Sequence, residues 1–398
     1  MSNMPKLRFK EFNDEWELKK LELLCSKISD GIHSTPVYDE NGEYYFINGN
    51  NLKKGVIILD EKTKRVSKEE YQKHFRELNN TTILMSINGT IGNIAFYNNE
   101  KAMLGKSACY ININDNKTNK YFISNQVSST KIQYYYISEL TGSTIKNLSL
   151  KTIKNTPINL PSKQEQEKIA SFLTSVDTKI EQLTKKEKLL QQYKKGVMQK
   201  IFNQEIRFVS DDGSEFCEWE EKNGNEIFET ISNKNHNSDL PILAISQEFG
   251  AIPRDMIDYK ITVTEKSVSS YKVVSIGDFI ISLRSFQGGI EYSSYKGICS
   301  PAYIILRPFI EINNDFFRLY FKMDRYIQQL NSKLEGIRDG KMISYKYFSE
   351  IKLPFPCIEE QTKIANFLSS IDTKIEQTQK QLEKTKEFKK ALLQQMFV

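Results

Sequence analysis

The sequence of 398 residues lacks a long hydrophobic run, a secretory leader and any closely paired cysteines. No stretch reaches the roughly 18 apolar residues that a membrane-spanning helix needs, and acidic residues stand near the start where a signal peptide is apolar. We therefore expect a cytoplasmic protein that does not contact membranes. The five cysteines are scattered, odd in number and never in a CxxC pair, which favours reduced thiols over disulfides or zinc ligands.

Motifs for catalysis are equally scarce. There is no GxxxxGK[ST] phosphate loop, and NTPI at 155–158 lacks the second proline and the aromatic residue of an amino-methyltransferase motif. The three histidines, His33, His74 and His236, are far apart and show no metal-binding spacing. PRDMIDYK at 253–260 loosely resembles a nuclease signature, but such strings arise by chance in a chain with 27% charged residues. We expect no catalytic residue, no metal and no bound cofactor, hence a protein that is not an enzyme.

Net charge gives only a weak indication of an anionic partner. The overall value of +6 divides into +5 for residues 1–162, +4 for 163–202, −4 for 203–357 and +1 for 358–398. Any binding of nucleic acid by the second half must therefore come from local basic patches.

One long segment occurs twice. EQEKIASFLTSVDTKIEQ at 165–182 returns 195 positions later as EQTKIANFLSSIDTKIEQ at 360–377, with 14 of 18 residues identical. Apolar residues step by threes and fours along both copies, which predicts two helices of about 38–40 residues with a coiled-coil seam. The first seam runs about 48 Å at ~1.5 Å per residue. A helix of that length with one apolar stripe needs a partner, and its own copy is the obvious one.

The regions before each helix also share landmarks. Arg8-Phe9 and Glu15-Trp16 correspond to Arg207-Phe208 and Glu218-Trp219, and strand–turn–strand patterns occur at 82–97 and 278–293. Between these landmarks the two regions diverge. We predict an α+β fold with two globular domains, separated by two long helices that pair as an antiparallel coiled coil. The predicted segments are residues 1–160, 161–202, 203–355 and 356–398.

These features resemble the specificity subunit of type I restriction-modification systems over the whole chain. The most specific signals are the two EQxKIAxFLxSxDTKIEQ segments, each after a proline exit, and the PKLRFxxFxxEW opening; DGIHSTP at 30–36 and FINGNNLKKGVI at 46–57 resemble one version of the family's target-recognition domain. The resemblance implies that each variable region reads one half of a split, asymmetric site in double-stranded DNA. It also implies that the helices space the readers and bind two methyltransferase subunits.

Further partners follow from the same resemblance. The methyltransferase subunits would carry S-adenosylmethionine and modify adenine, and motor-nuclease subunits would use ATP and Mg²⁺ to translocate and cleave DNA. A duplicated chain can approximate a twofold axis, so two readers would face the duplex at equivalent angles. Major-groove faces recur about every 34 Å, so helix length would set the unread spacer.

Candidate DNA contacts lie in loops, because Asn pairs with adenine and Lys or Arg with guanine or phosphate. In the first domain they are His33, Ser34, Thr35, Asn48, Asn50, Asn51, Lys53, Lys54 and the hairpin residue Asn88, with Lys62, Lys64, Arg65 and Lys68 as phosphate contacts. In the second they are Arg254, Arg338, Lys341 and the hairpin residues Arg284, Ser285, Phe286 and Gln287. For each, the alternative is a solvated charge or a turn residue that bonds its own backbone.

Polar positions of the helices repeat along with the seam, which predicts two equal outer surfaces for two equal partners. The candidate partner contacts are Gln166, Lys168, Asp177, Lys179 and their counterparts Gln361, Lys363, Asp372 and Lys374. Two other functions stay open. A coiled-coil adaptor with two protein-binding heads predicts no sequence-selective DNA affinity, and a self-contained nuclease predicts metal-dependent cutting that needs Asp258.

Overall fold

The computed structural model describes residues 4–141, 146–237, 239–257, 268–332 and 343–397. It divides into two compact units, Met1–Lys186 with Thr378–Val398 and Glu187–Gln377. Each unit therefore contains one globular part together with a piece of each long helix.

The globular part of the first unit is built around a four-stranded antiparallel sheet in the order β2-β10-β7-β8. Its inner strand β10 contributes side chains to two apolar clusters. Cys109 and Ile111 on one face belong to the first cluster, and Ala108 and Tyr110 on the other face belong to the second. The elements are β1 (Glu17–Lys20), β2 (Cys25–Asp30), β3 (Tyr44–Ile47), β4 (Leu52–Lys53), β5 (Val56–Ile57), β6 (Arg65–Val66), α1 (Lys68–Lys73), β7 (Thr82–Ser86), β8 (Ile94–Phe96), β9 (Ala102–Leu104), β10 (Ala108–Ile113), α2 (Lys120–Val127), α3 (Thr130–Ser138), α4 (Leu150–Lys154) and β11 (Pro157–Leu160).

Smaller sheets complete this unit. Strands β6-β3-β9 form a three-stranded sheet, β4 and β5 form a hairpin, and β1 pairs antiparallel with β11. The β1–β11 pair joins the start of the globular part to its end, directly before the first long helix, α5 (Lys163–Phe202).

The second unit repeats the central sheet in the order β13-β20-β17-β18 and the closing pair as β12–β21. Phe228 lies at the middle of its core, with ring centroids 5.4 Å from Phe279 and 5.5 Å from Phe317. The elements are β12 (Glu220–Asn223), α6 (Gly224–Ile227), β13 (Phe228–Ile231), β14 (Leu243–Ser246), β15 (Gly250–Pro253), β16 (Lys272–Val274), β17 (Phe279–Ile281), α7 (Ser285–Gly288), β18 (Glu291–Tyr292), β19 (Gly297–Cys299), β20 (Ile304–Pro308), α8 (Asn314–Tyr320), α9 (Asp324–Asn331), α10 (Tyr345–Glu350), β21 (Lys352–Phe355) and the second long helix α11 (Ile358–Gln395).

The predicted helix seam is confirmed in both units. In the first, Ile169 and Leu173 of α5 share a core with Leu392 of α11 and with Met396, which directly follows that helix. In the second, residues from the start of α11 and the end of α5 pack together in the same way, with Ile364, Leu368, Val197 and Ile201 in one cluster. The start of one helix against the end of the other is the antiparallel arrangement that the sequence indicated.

The predicted hairpins are also present. β7 pairs antiparallel with β8, and β17 pairs antiparallel with β18. Their connections, turn A (residues 87–93) and turn B (residues 282–290), differ in form, because turn B contains the single helical turn α7.

Candidate nucleic-acid interface and partner surface

Turn A is fixed by the backbone of a neighbouring segment. The Gly89 N–H donates to the Lys146 carbonyl at 3.1 Å, and the Leu148 N–H donates to the Ile87 carbonyl at 2.9 Å. Asn88, the predicted contact, has a buried Oδ1 that accepts no hydrogen bond from the part of the chain that the structure describes. A buried acceptor without a donor is costly, so a side-chain rotation that brings this oxygen to an external donor would relieve that cost.

A second hairpin stands beside turn A. Lys54 and Gly55 connect β4 to β5 with φ of 49° and 85°, the two left-handed residues of a type I′ turn. The Gly55 N–H donates to the Ile94 carbonyl at 3.0 Å, and the Phe96 N–H donates to the Gly55 carbonyl at 2.9 Å. This tip, called tip A (residues 53–56), therefore places exposed Lys53 and Lys54 next to the β7–β8 hairpin.

Two of the predicted asparagines serve the fold instead. The Asn48 N–H donates to Asn51 Oδ1 at 3.0 Å, Asn48 Oδ1 accepts from Ser107 Oγ at 2.8 Å, and Asn51 Nδ2 donates to the Ile58 carbonyl at 3.0 Å. These bonds hold a one-turn 3₁₀ helix, so the prediction that Asn48 and Asn51 offer free amides to DNA is corrected. Asn50, between them, is exposed.

The remaining candidates of the first unit are exposed, in two groups. His33, Ser34 and Thr35 form a loop in which His33 Nε2 lies 2.9 Å from Asp30 Oδ2. The basic group rests partly on aromatic rings: Lys64 Nζ is 4.1 Å from the Tyr38 centroid and the Arg65 guanidinium 4.5 Å from that of Tyr45. Such stacking orders the side chains while the charges face solvent. Lys62 and Lys68 are exposed as well.

Turn B brings only half of its four predicted residues to the surface. Arg284 and Gln287 are exposed, whereas Ser285 is buried, with its Oγ accepting from the Ser282 N–H at 2.9 Å. Phe286 packs against the aromatic core. Ser285 and Phe286 are therefore corrected to structural residues, because a short helical turn must direct one face inward.

The other second-unit candidates divide by location. Arg254 begins a 3₁₀ turn after β15, and its Nε and Nη1 are buried without an acceptor among the residues that the structure describes. Its backbone N–H donates to the Ile242 carbonyl at 3.0 Å. Arg338 and Lys341, and Asp258 of the nuclease-like string, lie outside the described residues.

The first residues of each long helix form an internal clasp. Arg8 donates to Glu165 from Nε at 2.7 Å and from Nη2 at 2.8 Å. Arg207 does the same to Glu360 at 2.9 and 3.0 Å. In both clasps the hydrogen bonds to the buried carboxylate raise the pKa of the arginine. The repeated Arg-Phe and Glu-Gln motifs therefore meet in space.

Gln166 and Gln361 are buried beside these clasps. Gln166 Oε1 accepts from Thr118 Oγ1 at 2.7 Å, and its Nε2 donates to the Pro161 carbonyl at 2.9 Å. Gln361 Oε1 accepts from the Asn313 N–H at 2.9 Å, and its Nε2 donates to the Pro356 carbonyl at 2.8 Å. The expectation that these glutamines lie on an outer surface is therefore corrected.

Asp177 and Asp372 each form an ion pair between the two helices. Lys389 Nζ is 2.5 Å from Asp177 Oδ1, and Lys194 Nζ is 2.6 Å from Asp372 Oδ1. The two ion pairs lie at the same position of the repeat, and the role of the two aspartates in binding a partner stays a prediction.

The other predicted partner contacts remain at the surface. Lys168 pairs with Glu11, and Lys363 lies 2.6 Å from Asp211, so both are partly engaged within their own unit. Lys179 and Lys374 are exposed. Two aromatic side chains at another repeated position are exposed too, Tyr193 at 54% and Phe388 at 52%.

A profile of the family described as the type I restriction modification DNA specificity domain matches residues 13–191 and 214–386. The chain belongs to this specificity family. The MjaX specificity subunit of Methanocaldococcus jannaschii is 26% identical over 98% of this chain and 95% of its own length. The MjaVIII specificity subunit of the same organism is 29% identical over 64% of each chain.

Solved structures agree on the fold of this specificity subunit. The S subunit of a type I system from M. genitalium aligns over 99% of both chains with a TM-score of 0.59 at 19% identity. A chain from a study of assembly and conformational transition in a type I system aligns over 97% of this chain and 98% of its own, with a TM-score of 0.57 at 16% identity. The predicted family, and a recognition subunit rather than an enzyme, are confirmed by the comparisons.

One element of the candidate interface in this specificity subunit was not predicted from its sequence. Tip B (residues 246–250), which joins β14 to β15, contacts turn B through Gln247 Nε2, 3.4 Å from the Arg284 carbonyl. Ala251 bridges Ser293 in parallel, as Gly55 bridges Ala95 in the first unit. The available signal was the turn-like SQEFG between two apolar strands.

The described ranges contain no group of three or more His, Cys, Asp or Glu side chains that could hold a metal ion. No helix within these ranges is both long and apolar enough to span a bilayer.

Proposed function

We propose that this specificity subunit reads an asymmetric, two-part site in double-stranded DNA, one half per globular part. Turn A with tip A would read one half-site, and turn B with tip B the other. The observation that carries this proposal is that each unit places two hairpins side by side. The arrangement is similar in the two units, whereas the side chains at the hairpin tips differ. A shared frame sets how the duplex is approached, and the differing side chains set which bases are accepted.

Within each edge we assign roles by exposure and free hydrogen-bonding capacity. Asn88 and Arg284 occupy matching positions of the two turns and are the base-reading candidates, with Gln287, Asn50 and the loop at 33–35 beside them. Lys53, Lys54, Lys62, Lys64, Arg65 and Lys68 are phosphate contacts. Arg254, whose Nε and Nη1 have no acceptor among the residues that the structure describes, is a further candidate, and Arg338 and Lys341 remain predictions.

Methylation mapping tests the DNA proposal. We expect adenine methylation at a two-part motif in cells that contain this chain and its methyltransferase partner, and none when the chain is deleted. Asn88→Ala should relax the motif in one half only, and Arg284→Ala in the other half only, by about 1–3 kcal/mol per lost base contact. An unchanged methylation pattern after deletion of the chain contradicts the proposal and favours the adaptor alternative.

We further propose that the repeated outer faces of α5 and α11 bind two methyltransferase subunits, which carry S-adenosylmethionine. Motor-nuclease subunits using ATP and Mg²⁺ would join that complex for restriction, and the whole would act in the cytoplasm. The two glutamines are buried and the two aspartates form ion pairs between the helices, while the exposed repeated positions include Lys179 with Lys374 and Tyr193 with Phe388. Partly exposed aromatic residues are frequent anchors of interfaces.

Native mass spectrometry with purified methyltransferase tests this surface. We expect two methyltransferase copies on the wild-type chain, one after either Tyr193→Ala or Phe388→Ala, and none after both. The matched control is Lys188→Glu with Lys384→Glu, since these exposed lysines correspond to Glu383 and Leu189 and are not repeated. Two bound copies on the double aromatic variant would contradict the proposed anchors.

A further inference from the structure

Tip B carries an aromatic side chain that the fold does not use. Phe249 is 58% exposed, and among the residues that the structure describes no ring or cation stacks on it. An exposed phenylalanine forgoes the stabilisation that burial provides. Tip A has no aromatic residue, because Lys53, Lys54, Gly55 and Val56 occupy it.

Tip B has a constrained backbone. Ser246 Oγ accepts from the N–H groups of Glu248 and Phe249 at 3.2 and 3.3 Å. Gly250 has φ of 72°, and a Cβ there would lie 2.8 Å from the Tyr292 carbonyl oxygen, so only glycine permits this approach to β18. A backbone that is already constrained loses little conformational entropy on binding.

Phe249 also shares an edge with the candidate base-reading residues. Gln247 lies two positions earlier in the tip, and its side chain contacts the Arg284 carbonyl. It also lies so close to Gly288 that a Cβ added to this glycine would be 2.6 Å from Gln247 Cγ. Tip B and turn B are therefore in direct contact through Gln247, and Phe249 is the exposed aromatic residue of that tip.

A protein segment is the competing occupant, since Phe249 also borders a cavity of about 770 Å³. Several charges of that cavity are already neutralised inside the unit. Lys322 lies 2.5 Å from Glu291, and Lys195 lies 2.8 Å from Asp324. Since these charges are paired internally, they offer little to attract a charged peptide, whereas the neighbouring turn presents an exposed arginine and glutamine.

We propose that Phe249 is a wedge that inserts between two base pairs at the edge of the second half-site. Apolar side chains that enter a base step partly unstack it and kink the duplex, and an aromatic ring gains stacking that is tolerant of sequence. The proposal rests on the function proposed above and adds an asymmetry to it, because only one half-site would be unstacked.

The test uses the complete methyltransferase complex and duplexes that carry its mapped site, with 2-aminopurine placed at successive positions of the second half-site. We expect fluorescence to rise at one step with the wild-type chain, to stay low with Phe249→Ala and to recover with Phe249→Trp. Flipping of the target adenine by the partner raises fluorescence with every variant, so the diagnostic signal is the one that depends on residue 249.

Affinity gives a second readout. Phe249→Ala should bind the site about tenfold more weakly, with an unchanged salt dependence because no phosphate contact is lost. Phe309→Ala is the matched control, since Phe309 is 53% exposed but follows the end of β20 remote from turn B.

Three outcomes overturn the wedge. If the complex binds and methylates its site selectively but shows no fluorescence signal that depends on residue 249, the wedge proposal is wrong and the proposed function still stands. Weaker assembly of the Phe249→Ala chain with methyltransferase in the absence of DNA assigns the ring to a protein contact. A complex without any sequence-selective DNA binding removes both the wedge and the proposed function.

Discussion

Removal of Arg8 should be one of the most damaging single changes at the start of α5. Its guanidinium is 9% exposed and makes two short bonds to Glu165, which is 1% exposed. Arg8→Ala leaves that carboxylate buried and without a donor from the described part of the chain. Stranding one member of a buried ion pair costs about 3–5 kcal/mol, and loss of two charge-assisted bonds gives a similar range of about 3–6 kcal/mol.

The second clasp provides an internal comparison. Arg207 is 25% exposed, and Glu360 also accepts from Trp219 Nε1 at 2.9 Å, a donor that survives Arg207→Ala. Trp16, the counterpart of Trp219, has no partner for its Nε1 among the described residues. We therefore expect Arg207→Ala to cost less than Arg8→Ala, because Trp219 still donates to the Glu360 carboxylate and Arg207 is more exposed to water than Arg8.

Hydrogen exchange followed by mass spectrometry measures both effects in the intact chain, because peptides from the first turns of α5 and α11 report each clasp separately. The control is Arg8→Leu with Glu165→Leu, which strands no charge and should cost less than Arg8→Ala alone. A larger loss of protection in Arg207→Ala than in Arg8→Ala would refute this reasoning. So would a double variant that is as unstable as the single one.

Three further predictions follow from other contacts. Lys194→Glu should lower stability by about 0.5–1 kcal/mol and Lys194→Glu with Asp372→Lys should restore it, measured by thermal unfolding, because the pair is partly exposed; no recovery would show that the pair does not hold the helices. Lys54→Gly should keep the fold, since Lys54 has a positive φ, and should lower the slope of log affinity against log salt by about 0.9; an unchanged slope would remove its phosphate contact. Burial raises the pKa of Glu291 above its usual value near 4.5, so the folded state binds the extra proton and this contribution to stability is lost as pH rises through the folded-state pKa. Glu291→Gln should therefore flatten the stability curve just above pH 4.5 in urea titrations, and an equally steep curve would contradict this.

The helices and the candidate interface were predictable to different degrees. The seam of Ile169, Leu173, Ile364 and Leu368 is visible because helix periodicity is local and repeats every few residues. The direction of polar side chains such as Gln166 and Asp177 could not be predicted, because a polar residue forms a hydrogen bond or ion pair with whichever group the fold brings near. Their repetition reflects internal contacts that occur twice, which a sequence pattern does not distinguish from a repeated outer surface.

The turns show the same limit. Strand–turn–strand patterns were readable because apolar runs flank polar residues, yet Asn48 and Ser285 turned inward to complete local backbone bonds. The role of tip B could not be predicted because its contact with Arg284 joins residues 37 positions apart. No local sequence pattern specifies a contact at that separation.

By itself the sequence determined the duplication, the two long helices, their antiparallel seam and the family, because repeats and apolar periodicity are written in chain order. The tertiary structure alone decided that the repeated Arg-Phe and Glu-Gln motifs form one clasp in each unit and that the aspartates bridge the helices. It also decided that two hairpin tips share an edge in each unit. The physical reason is that hydrogen bonds and ion pairs need donor and acceptor within about 3 Å, and only folding brings residues 157 or 212 positions apart to that distance.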